Sequence, residues 1–519
     1  MQLLKRRTRI YAVHFFRHDF KASITVFLVA LPLCLGIALA SNVPPSSGLI
    51  AGIIGGLLVS VLSKSPLSVS GPAAGLTAIS VGIIAELGSL QAFFMCIALA
   101  GVLQLLIGLV RLTGFTQFIP SAVIKGMLAA IGLLLIIKQL PLLIGYDKAD
   151  FWAKELFNIF SFHNAYEHVQ TIYTHLTPGT ILLSLICVLL TIVWERNWSK
   201  RFSFIPVSFV LVVAGSLLAA VMNRWLPQLA LAPSQYVQVP ANIAANWQMP
   251  DVSVIFQNSQ VWKNAVIICI VASLETLLSI EAIDKLDPYN RITPQSREMM
   301  AQGTGNLLSG LLGGLPITAV IVRSSANAEA GARTRWSGFF HGIWLLLFVW
   351  WGAGLLNSIP YCILAVILIR TGYNLARPAM IKAVYRLGRE QFMPFIVTLL
   401  AILFTDLLVG VGIGVAYAAY YLFKNTYKAG FTLRQHMEGH IPYYHFDLAI
   451  NVSFLNKQRL KKQLDLLPPY SVVTIDGSRS VYIDYDVVEI INEFRAKAHQ
   501  KHIELHLAGI PDVEIISQH

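Results

Sequence analysis

Charged residues are scarce in this chain. Asp, Glu, Lys and Arg make up 13% of its 519 residues, about half the fraction that is usual in soluble globular proteins. The scarcity is concentrated in residues 22–424, where 38 of 403 positions are charged, whereas 21 of the last 95 are. With 55% apolar residues, this profile excludes a soluble enzyme and a disordered protein. It predicts a long membrane domain followed by one small soluble domain.

Cysteine is also scarce, and its positions exclude further classes. The five cysteines all fall inside apolar runs, with no CxxC pair and no histidine at metal-ligand spacing: Cys34, Cys96, Cys187, Cys269 and Cys362. Such thiols pack like small apolar residues, so we expect neither a disulfide framework nor a zinc site. No nucleophile triad or phosphate loop occurs either. The sequence therefore predicts a protein that is not an enzyme and has no metal or organic cofactor.

Apolar runs that could span, or partly span, a bilayer occur fourteen times. Seven lie near residues 22–41, 48–63, 71–87, 91–110, 120–145, 178–195 and 205–226. Seven more lie near 261–284, 295–312, 323–332, 336–357, 359–373, 392–405 and 406–424. We interpret the first run as a spanning segment rather than a removable signal peptide, because it has no convincing cleavage site. The sequence thus predicts an all-α polytopic membrane domain at 22–424, after an N-terminal segment at 1–21.

Membrane topology explains most of the net charge of +12. Fourteen spans place both termini on one side, and basic residues should mark the cytoplasmic ends. They occur in the N-terminal segment and after spans six, eight, ten and twelve: Lys5, Arg6, Arg7, Arg9, Arg17, Lys21, Arg196, Lys200, Arg201, Lys285, Arg291, Arg333, Arg335, Arg377, Lys382, Arg386 and Arg389. The loop at 226–262 has no Lys or Arg. We therefore expect both termini to be cytoplasmic in a bacterial-type inner membrane, with the lipid bilayer rather than nucleic acid as partner.

Two stretches, residues 67–75 and 315–326, depart from a plain transmembrane pattern. In the first, residues 67–70 alternate with period two, Gly71 stands at an N-cap position and Pro72 suits the first helical position. In the second, a β-branched run precedes a helix that should start near Arg323. Each stretch is the third segment of a seven-span half. Interrupted segments at matching places indicate the binding site of an inverted-repeat transporter.

The chemistry of such a site is anion binding. A helix that starts inside the membrane leaves backbone amides unpaired, and two such helix ends facing each other attract an anion. The alternative is that Gly71-Pro72 and Leu315-Pro316 are ordinary kinks in packed helices. Their paired placement favours the site.

Arg323 and Glu275 are the two charged residues within apolar segments that most need an explanation. Arg323 would cost a few kcal/mol there unless it met an anion or water, and it would add a full charge to the two helix ends. The partner expected for it is Glu275 in span eight, and Ser279 shares a helix face with Glu275. Glu275 and Ser279 could hold a proton or a small cation for coupling, and a static bridge between Glu275 and Arg323 would not exclude that role. Lys125 and Lys138 are predicted to snorkel to opposite interfaces.

These residues resemble the SulP, or sulfate permease, family of anion transporters over essentially the whole chain. The matching stretches are residues 31–38, 68–74, 123–126 and 139–141, Gln104 with Gly108, the surroundings of Glu275, and residues 302–338. The last is the most specific, with Gly305-Asn306, Gly313-Gly314, Arg323-Ser324-Ser325-Ala326-Asn327 and Gly331-Ala332-Arg333-Thr334 in order.

The resemblance implies a seven-plus-seven inverted repeat with core and gate domains, half-helices at segments three and ten, and elevator-type movement. It places the substrate at Ser70, Gly71, Pro72, Ala73, Ala74, Val322, Arg323, Ser324 and Ser325. It assigns Glu275 to the carboxylate that proton-coupled members use, and Ser279 to the place of a Thr in sodium-coupled bicarbonate members. Because those members carry Asp at the place of Glu275 and no Arg at that of Arg323, the resemblance favours H+ over Na+ as the coupling ion. A homodimer is also expected.

The chain from residue 440 to 519, after a linker at 425–439, resembles the small cytoplasmic α/β STAS domain that is usual in this family. Val472–Asp476 reads as a buried strand and residues 487–497 as an amphipathic helix. STAS domains of the signalling type carry a phosphorylatable Ser after an Asp, but here Tyr485 follows Asp484. We therefore expect no serine switch at this position, and a role in folding, dimer contact or partner binding.

The leading hypothesis is a secondary active transporter of a small inorganic oxyanion, sulfate or bicarbonate, coupled to protons. One alternative is a sodium-coupled bicarbonate or dicarboxylate transporter. Another is a membrane anion sensor that signals through the STAS domain. Backbone amides and one arginine recognise charge and size, so the side chains do not rank these anions.

Overall fold

The computed structural model describes residues 15–112, 120–145, 176–198, 205–238, 250–254, 258–405 and 407–511. The chain divides into two compact units, Met1–Gly414 and Val415–His519. Part of the topology prediction falls outside the described residues, namely Lys5, Arg6, Arg7, Arg9, Lys200 and Arg201.

In the first half of the membrane unit, the described residues form seven helical segments, α1 to α7, and one short strand. They are α1 Phe16–Ala40, α2 Pro45–Ile54 with a π-helical turn Gly55–Val59 and a last turn Ser60–Leu62, β1 Ser70–Pro72, a 3-10 turn Ala74–Leu76 leading into α3 Thr77–Leu87, α4 Leu90–Val110, α5 Ser121–Leu143, α6 Pro178–Val193, and α7 Val207–Trp225. Proline in the first turn of α2 and α6 suits a helix start, because its missing N–H would be unpaired there anyway.

The second half repeats this order. It consists of α8 Ser259–Asp284, α9 Gln295–Leu311, β2 Ile317–Ala319, α10 Ile321–Glu329, α11 Trp336–Trp351 with a short helix Ala353–Leu356, α12 Tyr361–Leu375, α13 Pro378–Arg386, α14 Arg389–Phe404, and α15 Leu407–Ala429. The amphipathic helix α13 lies in the basic stretch after the twelfth predicted span. Over the described residues, eight helices are long and apolar enough to cross a bilayer.

Two groups of helices pack through glycine. In one group α4 lies against α9, where a Cβ at Gly303 would come within 2.7–2.8 Å of α4 backbone atoms. In the other, α5 lies against α12 and α14; Gly372 of α12 faces the carbonyl of Gly132, and Gly126 of α5 that of Phe395. Small residues let membrane helices approach closely, which compensates for the lack of a hydrophobic drive between helices in lipid.

The two interrupted segments differ from the sequence prediction in where their helices begin. Gly71 and Pro72 do not start a helix: they belong to β1, and helical structure starts at Ala74. The other helix begins at Ile321, two residues before Arg323. The reason is strand pairing, because β1 and β2 satisfy each other's backbone groups deep in the unit. The alternative of ordinary kinks in continuous helices is therefore wrong.

The C-terminal unit is a small α/β fold. Its main sheet has the order β3 Phe431–Glu438, β4 Ile441–Leu448, β6 Val472–Asp476, β8 Glu504–Ala508, and the short strands β5 Asn451–Val452 and β7 Tyr482–Ile483 pair with each other. Helices α16 Lys457–Asp465 and α17 Tyr485–Ala498 share an apolar core with Phe446, Val473 and Ile475.

Residues 425–439, expected to be a linker, instead form the end of α15 and the strand β3. The reason is that β3 pairs along its whole length with β4, from Phe431 opposite Leu448 to Glu438 opposite Ile441. The predicted strand Val472–Asp476 is β6, and the predicted helix at 487–497 lies within α17. Asp484 caps this helix by accepting a 3.1 Å hydrogen bond from the Asp486 amide.

Candidate functional site

The two short strands bring the starts of two helices together. They pair antiparallel, with Ser70 opposite Ala319, Gly71 opposite Thr318 and Pro72 opposite Ile317. Because each strand leads directly into a helix and the strands run in opposite directions, the N-termini of α3 and α10 face each other across the strand pair. Each exposes backbone N–H groups that have no partner within the helix.

Side chains from three other helices hold β2 in place. The amide of Asn306 accepts from Ile317 N (2.6 Å) and donates to Ile317 O (2.9 Å) and to Gln104 Oε1 (2.8 Å). Gln104 in turn donates to Ser273 Oγ (3.2 Å), and Thr276 Oγ1 accepts from Ala319 N (3.4 Å). Because β2 has only one neighbouring strand, these bonds satisfy backbone groups that a second neighbour would otherwise pair. Non-helical backbone is therefore tolerated at this depth.

The predicted site residues Ser70 and Ser324 also serve the strands. Ser70 Oγ accepts from Gln302 Nε2 (2.7 Å), which also donates to Glu298 (2.9 Å). Ser324 Oγ accepts from Val69 N (2.9 Å) and donates to Val320 O (2.8 Å). Both hydroxyls therefore fix the geometry of the two helix starts.

The sequence prediction missed the supporting residues of α9. Glu298, Gln302 and Asn306 are all fully buried and recur every four residues, so that they form one buried polar stripe on α9. Glu298 is hydrogen-bonded to Ser63 as well as to Gln302. This i, i+4 spacing of polar groups was the signal in the sequence that could have found them.

The other predicted substrate residues surround the strand pair. Pro72 and Ala73 are buried, and Ala73 N donates to Pro316 O (3.3 Å). Ala74, Val322 and Ser325 are half-buried in the first turns of the two helices.

Arg323 is the central charge of this arrangement. Its side chain is completely buried, and Nη2 donates to Cys34 Sγ at 3.4 Å. Nε and Nη1 have no hydrogen-bond partner among the described residues. Nη1 lies directly against Gly71, where an added Cβ would overlap it. A permanent cation is thus buried beside two helix N-termini with most of its donors unused, which is costly without an anion.

Glu275 does not form the expected bridge to Arg323. Within the described parts of the chain, no ion pair joins them. The Glu275 carboxylate lies instead at the start of α3, where it accepts from the Gly75 amide and where a Cβ at Gly75 would come within 2.9 Å of Oε2. Oε2 is shielded from solvent and accepts no hydrogen bond from the described residues. The static-bridge hypothesis is wrong because Arg323 turns towards Cys34. Ser279 is buried one turn further along α8.

A cavity of about 370 Å³ runs along α3 from Ala74 and Gly75 to Glu86. Its remaining lining comes from α5, α8, α14 and the start of α15, so that it separates α3 from the glycine-packed group of α5, α12 and α14. At its far end Glu86 pairs with Lys263 (3.2 Å) and Asn264 (3.1 Å). The cavity thus leads to the helix start where Glu275 lies.

One group of potential metal ligands occurs in the described part of the C-terminal unit: His445, Asp447 and Asp476, whose ligand atoms lie within 4.8 Å of one another. Asp447 is already paired with Arg434 (3.2 Å) and His445 (3.1 Å). Hydrogen bonds from Ser478 lower the pKa of Asp476. These partners explain the cluster without a metal ion.

The helices of the described residues, with two buried strand–helix units among them, define a polytopic membrane protein of the transporter class. The chain belongs to the sulfate permease family, whose sequence model matches residues 16–398. Members of this family are anion transporters for sulfate and bicarbonate, not enzymes.

Individual relatives agree with this assignment. The chain is 27% identical to the putative sulfate transporter YvdB of Bacillus subtilis over 424 residues, covering 82% of this chain and 76% of that protein. It is 24% identical to the bicarbonate transporter BicA of Picosynechococcus sp. over 418 residues, covering 78% of this chain and 70% of that protein.

Solved structures show the same fold. The transmembrane domain of a cyanobacterial BicA aligns with a TM-score of 0.62 at 21% identity, covering 78% of this chain and 97% of that one. The murine Slc26a9 anion transporter in the inward-facing state aligns with a TM-score of 0.73 at 15% identity, covering 96% of this chain and 86% of that one. The latter match extends over the C-terminal α/β unit, consistent with a STAS domain.

Proposed function

We propose that this chain is a secondary active transporter that carries a small inorganic oxyanion, sulfate or bicarbonate, with H+ as the coupling ion. The observation that carries the proposal is Arg323, a fully buried cation whose Nε and Nη1 find no partner in the described protein. An oxyanion supplies several acceptor oxygens and a negative charge, which are what these donors and the two adjacent helix N-termini lack.

The proposed substrate site consists of β1, the start of the helical segment that follows it, and the start of α10. Its residues are Ser70, Gly71, Pro72, Ala73, Ala74, Val322, Arg323, Ser324 and Ser325. Glu275 and Ser279 are proposed to carry the coupling proton. Support comes from the Glu275 carboxylate, which lies at the start of α3 with Oε2 unpaired among the described residues. Carboxylates inside membrane helices mark proton or ion paths.

We propose elevator-type movement, which is supported by the cavity between α3 and the glycine-packed group of α5, α12 and α14. Within that group the backbones touch and leave little freedom, whereas the cavity leaves room for α3 to slide along it. We also propose a homodimer in a bacterial inner membrane with cytoplasmic termini and a cytoplasmic STAS domain.

Uptake into proteoliposomes tests this function. Purified protein is reconstituted, and entry of labelled sulfate or bicarbonate is followed with an inward H+ gradient, an inward Na+ gradient or no gradient. We expect accumulation with the H+ gradient. Accumulation with Na+ alone would show the sodium-coupled alternative. If no anion moves while anions alter binding by the C-terminal unit, the chain is an anion sensor and the transport proposal fails.

A further inference from the structure

A cavity of about 1070 Å³ lies where the ends of α4 and α8 meet the start of α9. Its described lining contains no residue of the proposed substrate and coupling sites. The ionisable residues of the lining are four basic and two acidic side chains: Arg111, Lys285, Arg291, Arg297, Glu281 and Asp284. Lys285 and Arg291 also belong to the basic residues expected on the cytoplasmic side, so the cavity opens on that side.

Both acidic side chains of the lining already have partners. Glu281 pairs with Lys285 at 3.0 Å, one turn further along α8. The two carboxylate oxygens of Asp284 accept from Thr293, one from its amide at 2.8 Å and the other from its hydroxyl at 2.6 Å. Neither carboxylate is therefore bound to the arginines of the cavity.

The cavity keeps an excess of one positive charge. Arg291 is paired at 2.7 Å with Asp287, a carboxylate beside the lining. The four basic side chains are thus balanced by three carboxylates, Glu281, Asp284 and Asp287. A phosphodiester carries one negative charge, so that one such group would complete the balance.

Two arginines of the lining have no carboxylate partner among the described residues. Arg111 is the exposed C-cap of α4, and its side chain forms no ion pair or hydrogen bond in the described part of the chain. Arg297, in the first turn of α9, forms one long hydrogen bond, from Nε to Leu62 O at 3.4 Å. The two helices touch here, because a Cβ at Gly108 would come within 2.9 Å of Ser296 O. Two guanidinium groups with unused donors thus lie at one cavity, and guanidinium groups bind phosphate through paired hydrogen bonds.

An exposed apolar stripe of α4 ends at the same cavity. Val102, Leu106 and Leu109 are 39%, 51% and 66% exposed, and their spacing of four and three residues places them on one face of the helix. Leu109 also lines the cavity, as does Ile292, which is 87% exposed. A hydrocarbon chain lying on this stripe therefore ends beside the two arginines.

We propose that this cavity binds one anionic phospholipid, with its headgroup phosphate at Arg111 and Arg297 and an acyl chain along Val102, Leu106 and Leu109. Basic pockets between membrane helices on the cytoplasmic side suit anionic headgroups. A free phosphate would use the two arginines but leave the apolar stripe without a partner. The inference goes beyond the proposed function, because it concerns a lipid and not the transported anion.

Lipid binding to the purified, delipidated full chain tests this site. Native mass spectrometry counts the bound molecules and gives Kd over a titration. The probe is phosphatidylglycerol, and phosphatidylcholine, whose headgroup has no net charge, is the comparison lipid. Glycerophosphoglycerol, the same headgroup without acyl chains, tests for a free-phosphate site. The variants are Arg111→Gln, Arg297→Gln and both together; the matched control is Lys382→Gln with Arg386→Gln, which removes two exposed charges from α13.

We expect the wild type and the control to bind one phosphatidylglycerol and to bind phosphatidylcholine and glycerophosphoglycerol much more weakly. A basic side chain beside an anionic headgroup changes affinity by about fivefold. Each single variant should therefore raise Kd about fivefold, and the double variant about 25-fold. Because both arginines are exposed, the variants should fold normally, and the two single variants provide independent tests.

Three results would overturn the inference. Equal weakening in the double variant and in the control would indicate a general attraction of basic surface for anionic lipid. Glycerophosphoglycerol that binds as tightly as phosphatidylglycerol would indicate a free-phosphate site. Wild-type protein that shows no saturable binding of phosphatidylglycerol would exclude a lipid site, and none of these results would bear on the transport proposal.

Discussion

Replacing Arg323 with alanine should separate anion binding from folding. A unit charge about 4 Å from a charged substrate atom, at an effective dielectric constant near 20, contributes about 4 kcal/mol. Because 1.4 kcal/mol corresponds to a factor of ten, the largest expected loss of affinity is about a thousandfold. Water that enters the vacated volume reduces this loss, and we expect Kd for sulfate to rise by at least about tenfold.

The same change should cost little stability. Arg323 makes one weak hydrogen bond, to Cys34 Sγ at 3.4 Å, and its removal relieves the burial of a cation whose other donors have no described partner. The control is Arg335→Ala, because Arg335 Nη1 donates to Val61 O (3.0 Å) and Ser63 O (2.7 Å) at the end of α2. Bonds of this charged kind contribute about 1.5–3 kcal/mol.

Thermal unfolding with and without sulfate measures both quantities. Ligand at a hundred times Kd stabilises a protein by about 2.7 kcal/mol, so wild type and Arg335→Ala should each gain Tm on addition of sulfate. Arg335→Ala should start from a lower Tm. Arg323→Ala should start from a Tm as high as the wild type or higher and gain little. An Arg323→Ala protein with the full sulfate-dependent shift and normal uptake would refute the assignment of this residue to the site.

Three further changes test the surrounding structure. Gly71→Ala should displace the Arg323 guanidinium that its Cβ would overlap and so lower uptake as strongly as loss of the arginine. The control Gly412→Ala, at an exposed position of α15 where a Cβ meets no atom within 4 Å, should transport normally; equal uptake by the two would contradict the packing argument. Glu275→Gln should abolish proton-driven accumulation more than anion exchange in proteoliposomes, and equal loss of both would indicate a structural carboxylate. Asn306→Ala breaks three hydrogen bonds and should lower unfolding stability by about 2 kcal/mol or more, compared with little change for Thr304→Ala, which loses one bond to Met300 O.

Much of the fold could be predicted because the bilayer imposes a simple rule. Every backbone N–H and C=O in the hydrocarbon must form its hydrogen bond within the protein, which favours helices as spanning segments. These helices appear in the sequence as apolar runs that can be counted. The helical segments of the membrane unit match the fourteen predicted runs to within several residues at most ends. The amphipathic α13 was missed, since its basic residues read as an ordinary cytoplasmic loop.

The candidate site was predicted in part. Gly71, Pro72 and Arg323 stood out by their residue types in apolar segments. The predicted start of the third helical segment was too early. Ser70–Pro72 form a strand instead of a helix, because they pair with residues more than 240 positions away in sequence. No local pattern reports a partner at that distance.

The sequence by itself determined the class of protein, the positions of the interrupted segments and the presence of two charges in apolar surroundings. These features follow from composition and local periodicity, which each segment carries alone. Only the tertiary structure decided how the charges are arranged: Arg323 turns to Cys34 and Gly71, and Glu275 to Gly75. Those contacts join residues from five different segments, and side-chain direction at such junctions depends on packing rather than on local sequence.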